Sequence, residues 1–299
     1  MSRFWSDLTN SDAFTLGLVL GAAALVVGIL VAGLVRRGAP PNIGGYLYSA
    51  AAIATLGLTF DVPWAVPAGA ALVAAACQLG DDIWDRALGS LFGAGLLVIG
   101  GDVADGAGAV VLVVSVAVCA ALVVAFDQPY RRSAIGLPLL AASTFGVLLT
   151  VPDTERAMAL FGVALPMILL GWPGRFVSLG AGAGAAVALI GWVGGIAGAA
   201  RPGATVGSLA ALGLMLAAPL GMRITRVATP ALARVASSGP GRALIVVAIH
   251  GVMVFGASRV AGLQQSAALA AVIAAPFLAV GMVVGAAPAP VSEPTTVER

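Results

Sequence analysis

Lysine is absent from this 299-residue chain, histidine occurs once, cysteine twice, and only 9% of residues are charged. Each scarcity excludes something. Cys77 and Cys119 both lie inside apolar runs, so they offer neither a disulfide framework nor a clustered thiolate metal site and read as packing residues. A formal charge of +2 is too small to point to a nucleic-acid partner. The glycine-rich stretch GAGAGAAVALIGWVGGIAG (180–198) has no lysine after it, which argues against a phosphate-binding loop and for small-residue packing between helices. The N-terminus, MSRFWSDLTNSDAF, is polar and acidic, without the basic start and small-residue cleavage site of a signal peptide, so the first helix is expected to stay in the mature protein.

What remains is apolar. With 60% hydrophobic residues, 40 glycines and a mean hydropathy of +1.06, the composition is that of a polytopic membrane protein. A membrane-crossing helix needs about 20 apolar residues. Divided at its charged and Pro/Gly punctuation, the chain gives about eleven such segments: 14–35, 44–60, 63–80, 87–101, 107–126, 133–151, 157–172, 176–199, 205–222, 242–262 and 265–287. Arginine accumulates on the cytoplasmic side of membrane proteins. With the N-terminus outside, the inner loops and tail receive Arg36, Arg37, Arg86, Arg131, Arg132, Arg175, Arg223, Arg226, Arg234, Arg242 and Arg299. Only Arg3, Arg156, Arg201 and Arg259 fall elsewhere. The expected fold is all-α and polytopic, N-terminus outside and C-terminus cytoplasmic: a short external N-terminus (1–13), one transmembrane domain (14–287) and a disordered cytoplasmic tail (288–299), Pro-rich and polar. The outer loops are short and the inner ones longer, so chemistry is expected at the cytoplasmic face.

The densest charge is in LGDDIWDRALGS (79–90), where Asp81, Asp82 and Asp85 share one stretch with Arg86. Carboxylates this close on a helical face repel one another unless a cation sits among them, and Mg²⁺ suits a membrane enzyme because substrate phosphates and waters complete its octahedron. The alternative is a set of solvated charges at a span end, with Arg86 neutralising one of them.

Three stretches together resemble the polyprenyl-phosphate N-acetylhexosamine-1-phosphate transferase family. RRGAPPNIGGYLYSAAAIATLG (36–57) is similar to the family's basic, proline, Gly-Gly opening of the second helix. ACQLGDDIWDRALGSLFGAGLLVIGG (76–101) looks like its Asp-Asp pair, and LLGWPGRFVSLGAGAGAAVALIGW (169–192) is similar to its Pro-Ala-Arg, Phe-Met-Gly-Asp-x-Gly-Ser segment. The resemblance implies transfer of a sugar-1-phosphate from a UDP-sugar to a polyprenyl phosphate, with Mg²⁺ between the phosphates. Carried over by position, Asp81 and Asp82 are the catalytic pair at the metal, Asp127 stands in the neighbourhood of the family's acidic loop, and Arg175 contacts phosphate. Asp85, Arg131, Arg132 and Arg223 join the substrate-binding set on the same inner face, because guanidinium groups grip phosphate bidentately. Taken singly, these arginines also read as orientation determinants and headgroup contacts.

The family pattern is broken at three places. Its metal-binding Asp falls here at Ala181 or its neighbour, its Asn at Gly171 or Trp172, and the acid after the ninth helix is replaced in APLGMRITR by Gly221 and Arg223. Alanine cannot ligate a cation, so a second expectation stands beside the enzyme: a non-catalytic relative that binds polyprenyl phosphate as a scaffold or regulatory subunit. The lone His250, in the middle of an apolar span, reads as a packing residue. A prenyltransferase would need a second Asp-rich motif, which the chain lacks, and a transporter would have little intramembrane charge to use.

Overall fold

The structure, a computed structural model, describes residues 2–35, 41–79, 83–100, 136–150, 154–171, 176–180, 182–193 and 248. Among these residues the chain is helical and contains no strands: α1 (Ser2–Thr9), α2 (Asp12–Leu34), α3 (Gly44–Thr59), α4 (Ala65–Leu79), α5 (Ile83–Gly100), α6 (Gly136–Thr150), α7 (Thr154–Gly171) and α8 (Ala183–Gly191). By length and composition α2 and α7 are able to cross a membrane, and α4 and the first turns of α6 are shorter apolar helices.

Local chemistry sets some boundaries. The Ser11 hydroxyl accepts the Phe14 N–H at 3.2 Å and Asp12 follows in the first turn, so α2 begins with a side-chain cap and a favourable charge at its positive end. Pro63 forces Val62 away from helical geometry and separates α3 from α4. α1 lies within the stretch expected only to be a polar external end, and its Leu8 is fully buried.

Small residues then decide which helices meet. The largest interface is between α2 and α7, followed by that between α4 and α5. A methyl group added at Gly17 would lie 2.5 Å from the Ala159 carbonyl oxygen, one at Gly21 2.5 Å from that of Val163, and one at Gly162 2.5 Å from that of Phe14. The two backbones therefore touch, as small-xxx-small helix pairs do. The matched positions rise together along both helices, so α2 and α7 run parallel. Phe161 continues the contact to Phe14 and Phe145, with ring centroids 6.2 Å and 5.3 Å away. In α4 and α5, Gly69 and Gly93 meet reciprocally, each added methyl falling within 2.7 Å and 2.8 Å of the other's carbonyl oxygen. These two helices are antiparallel. Cys77 is fully buried in α4 and packs in the core.

Following the chain, α2 runs from the Ser11 end of the bundle to the Gly44 end, α3 returns, α4 descends and α5 returns again. α6 and α8 also run toward the Ser11 end, and α7 away from it. α5 thus ends where α6 does not begin. α8 is the centre: all nine of its residues are buried, and its described neighbours are α3, α4 and α6.

The spans expected at 14–35, 44–60, 63–80, 87–101, 133–151 and 157–172 match helices to within a few residues. The span expected from 176 does not start there. Residues 176–180 are not helical, and the helix begins at Ala183. The reason is tertiary. Gly180 adopts φ +68, a left-handed conformation open to glycine, and a side chain there would strike the Asn42 carbonyl. The segment is held by bonds to a distant loop: the Ser178 N–H donates to Pro41 O at 3.1 Å, Gly44 N–H to Ser178 O at 2.9 Å and Gly45 N–H to Leu179 O at 2.7 Å.

Candidate functional site

The Gly44 end brings together described residues from all three stretches that carry the family resemblance. α3 begins there with no side-chain cap, since Ile43 has none to offer. Its first amides are satisfied instead by the Ser178 and Leu179 carbonyls. α8 begins beside it: a methyl group at Gly45 would come within 2.1 Å of the Gly182 carbonyl carbon, so no larger residue fits at this crossing. Two side-chain pairs knit the same end. The buried Ser178 hydroxyl donates to Asn42 Oδ1, and the Tyr46 hydroxyl donates to Gln78 Oε1 at 2.6 Å, tying the start of α3 to the last turn of α4. Val177 N–H closes onto Leu170 O at 3.1 Å, anchoring the non-helical segment to the end of α7.

Of the sequence-derived site residues, Asp85 alone is described. It is exposed in the first turn of α5, where the positive end of the helix favours a carboxylate, next to the partly buried Arg86. Asp81, Asp82, Asp127, Arg131, Arg132, Arg175 and Arg223 lie outside the described residues, as do Ala181, Trp172 and His250. Among the described residues no three His, Cys, Asp or Glu side chains come together, so no metal geometry follows from these positions. What the structure does bring together is the flanks: Gln78–Leu79 on one side of the Asp-Asp pair, Asn42–Tyr46 after the Arg36–Arg37 loop, and Phe176–Gly180 after Arg175.

Sequence reasoning passed over Asn42, Tyr46, Gln78 and Ser178. A signal existed, because uncharged hydrogen-bonding residues directly beside Gly-Gly and Asp-Asp are conspicuous in so apolar a chain. Trp64 and Trp84 stand at helix ends, 77% and 73% exposed.

The opposite end is built differently. Arg156, in the first turn of α7, stacks on two rings at once, its guanidinium carbon 5.6 Å from the Phe60 centroid and 5.3 Å from that of Trp192. Phe60 caps α3 and Trp192 caps α8, so one cation joins three helix ends, two of them the negative ends of their dipoles. Trp192 is 1% exposed, and its Nε1 has no hydrogen-bond partner among the described residues.

Compared with known proteins, the chain matches no protein-family model, no curated protein and no solved structure.

Proposed function

We propose that this protein transfers a sugar-1-phosphate from a UDP-sugar to a polyprenyl phosphate, at the cytoplasmic face of a multi-pass membrane domain of about eleven helices with its N-terminus outside. The observation that carries the reading is the Gly44-end junction, where stretches far apart in sequence, each resembling a different motif of one family, meet: 36–57 and 169–192 through backbone hydrogen bonds, and 76–101 through the Tyr46–Gln78 side-chain bond. Convergence of loops at one end of a bundle is what a shared site requires. The membrane reading draws support from α2 and α7, which are long and apolar enough to cross, and from the alternating directions of α2, α3, α4 and α5. The outward face of α2 adds to this, since Val19, Val26, Ile29 and Leu30 are 45% to 60% exposed and would be costly in water.

In this reading Asp81 and Asp82 hold Mg²⁺, which would neutralise the phosphate charge, while Asp127 assists and Asp85, Arg131, Arg132, Arg175 and Arg223 orient the phosphates. The second reading, a non-catalytic binder of polyprenyl phosphate, is favoured by Ala181, Gly171 and Gly221 standing where the family has polar ligands. An exchange assay separates them. Purified protein with radiolabelled UMP, UDP-N-acetylhexosamine, polyprenyl phosphate and Mg²⁺ is expected to exchange label, and binding of the lipid without exchange would favour the second reading.

A further inference from the structure

Two exposed carboxamides stand at the Gly44 end, and each has its carbonyl oxygen already engaged. Ser178 donates to Asn42 Oδ1 and Tyr46 donates to Gln78 Oε1. An amide whose oxygen is held by a hydroxyl turns its NH₂ the other way, as a pure donor. Neither Asn42 Nδ2 nor Gln78 Nε2 has a partner among the described residues.

One member of each pair, Asn42 and Tyr46, lies beside the start of α8. A methyl group at Gly180 would lie 2.8 Å from Asn42 Cβ, and one at Gly182, two residues on, 2.9 Å from Tyr46 Cγ. Both border the same short piece of chain. The backbone amides of Gly44 and Gly45 are bound to Ser178 and Leu179, so these two amides are closed to a ligand. A donor-only edge fits an acceptor-only ligand. Phosphate oxygens are such acceptors, whereas a sugar hydroxyl both gives and takes. α3 and α8, starting side by side and running the same way, place the positive ends of two dipoles behind that edge.

We propose that Asn42 and Gln78 bind the phosphate oxygens of a phosphorylated lipid through their NH₂ groups, with Ser178 and Tyr46 as positioning residues that fix the orientation of the two amides. This rests on the reading that the Gly44 end serves a polyprenyl phosphate, and it adds residues that the resemblance did not supply.

The test uses the full chain in detergent, titrated with farnesyl phosphate, farnesol and inorganic phosphate. Asn42→Asp and Gln78→Glu replace each NH₂ by an anionic oxygen at exposed positions, and each is expected to weaken farnesyl phosphate about tenfold or more. Farnesol binding should stay unchanged, which reports an intact fold. Gln78→Met, which removes the donors without adding charge, should weaken farnesyl phosphate by several-fold. Tyr46→Phe should do so less, with farnesol again unmoved; a merely structural tyrosine would shift both ligands alike. Wild-type affinity for farnesyl phosphate in Asn42→Asp and Gln78→Glu overturns this proposal, and if Arg175→Gln then abolishes binding, the polyprenyl-phosphate reading survives without it. If the wild type binds inorganic phosphate but not farnesyl phosphate, and Asn42→Asp removes that binding, the donor edge stands and the lipid reading falls. Binding of neither ligand by the wild type overturns both.

Discussion

The two ends of the bundle solve the problem of the helix terminus in opposite ways. At the Gly44 end, backbone carbonyls of a non-helical segment satisfy the first amides of α3, and glycines let the chains approach closely enough for that to happen. At the Ser11 end, α3 and α8 finish under a single guanidinium that stacks on Phe60 and Trp192. The first solution is steric and directional, and tolerates almost no change of volume. The second is electrostatic, with a looser dependence on geometry. The difference makes the Gly44 end the less tolerant of added volume, because its shape is fixed by contacts that only glycine permits.

Substitution at the tight end should cost most. Gly45→Val drives a branched side chain into the Gly182 backbone, and a loss of more than about 3 kcal/mol is expected, seen as failure to recover monodisperse protein or as collapse of the thermal midpoint in detergent. A Gly45→Val protein as stable as wild type would mean that the α3–α8 crossing is not as close as described. The proposed activity comes next. Asp81→Asn and Asp82→Asn should each reduce UMP exchange by about a hundredfold, the equivalent of ~2.7 kcal/mol of transition-state binding, with the melting profile unchanged. Undiminished exchange in both would remove them from the site.

At the Ser11 end, Arg156→Met keeps the aliphatic stem and deletes the cation; a loss of about 1–2 kcal/mol is expected, within the range of a partly desolvated cation–π contact. Combined with a Gly44-end change of modest size, the two losses should add, because the sites share no partners. Trp192→Phe should do least. It keeps a ring beneath Arg156 while removing a buried N–H without a partner, so the midpoint should move by less than about 1 kcal/mol in either direction. A large drop would show that the indole N–H is used.

Helix positions were legible in the sequence because they depend on local facts: apolar length, the Ser11–Asp12 start, and Pro63 after α3. The non-helical segment 176–180 was not legible. Its geometry comes from Pro41, Asn42, Gly44 and Gly45, remote in the chain, and nothing in FVSLG itself forbids a helix. The pattern of apolar residues from 176 onward continues smoothly into α8, so periodicity reads straight through the break. The candidate site divides the same way. Motif resemblance singled out charges, of which Asp85 is the described one, whereas the uncharged pairs Asn42–Ser178 and Tyr46–Gln78 became visible only once the loops were placed side by side. Arg156 counted as an ordinary exterior arginine until its two aromatic partners were known.

The bond between Ser178 and Asn42 links positions 136 residues apart. The Ser178 and Leu179 carbonyls that accept the first amides of α3 are as remote, so α3 is synthesised with those amides unmet and waits on the order of ten seconds, at ordinary translation speed, for the segment that completes its start. Until then water, lipid headgroups or a chaperone must stand in, and a ribosome stalled in that interval would leave an unfinished nascent chain as a target for quality control.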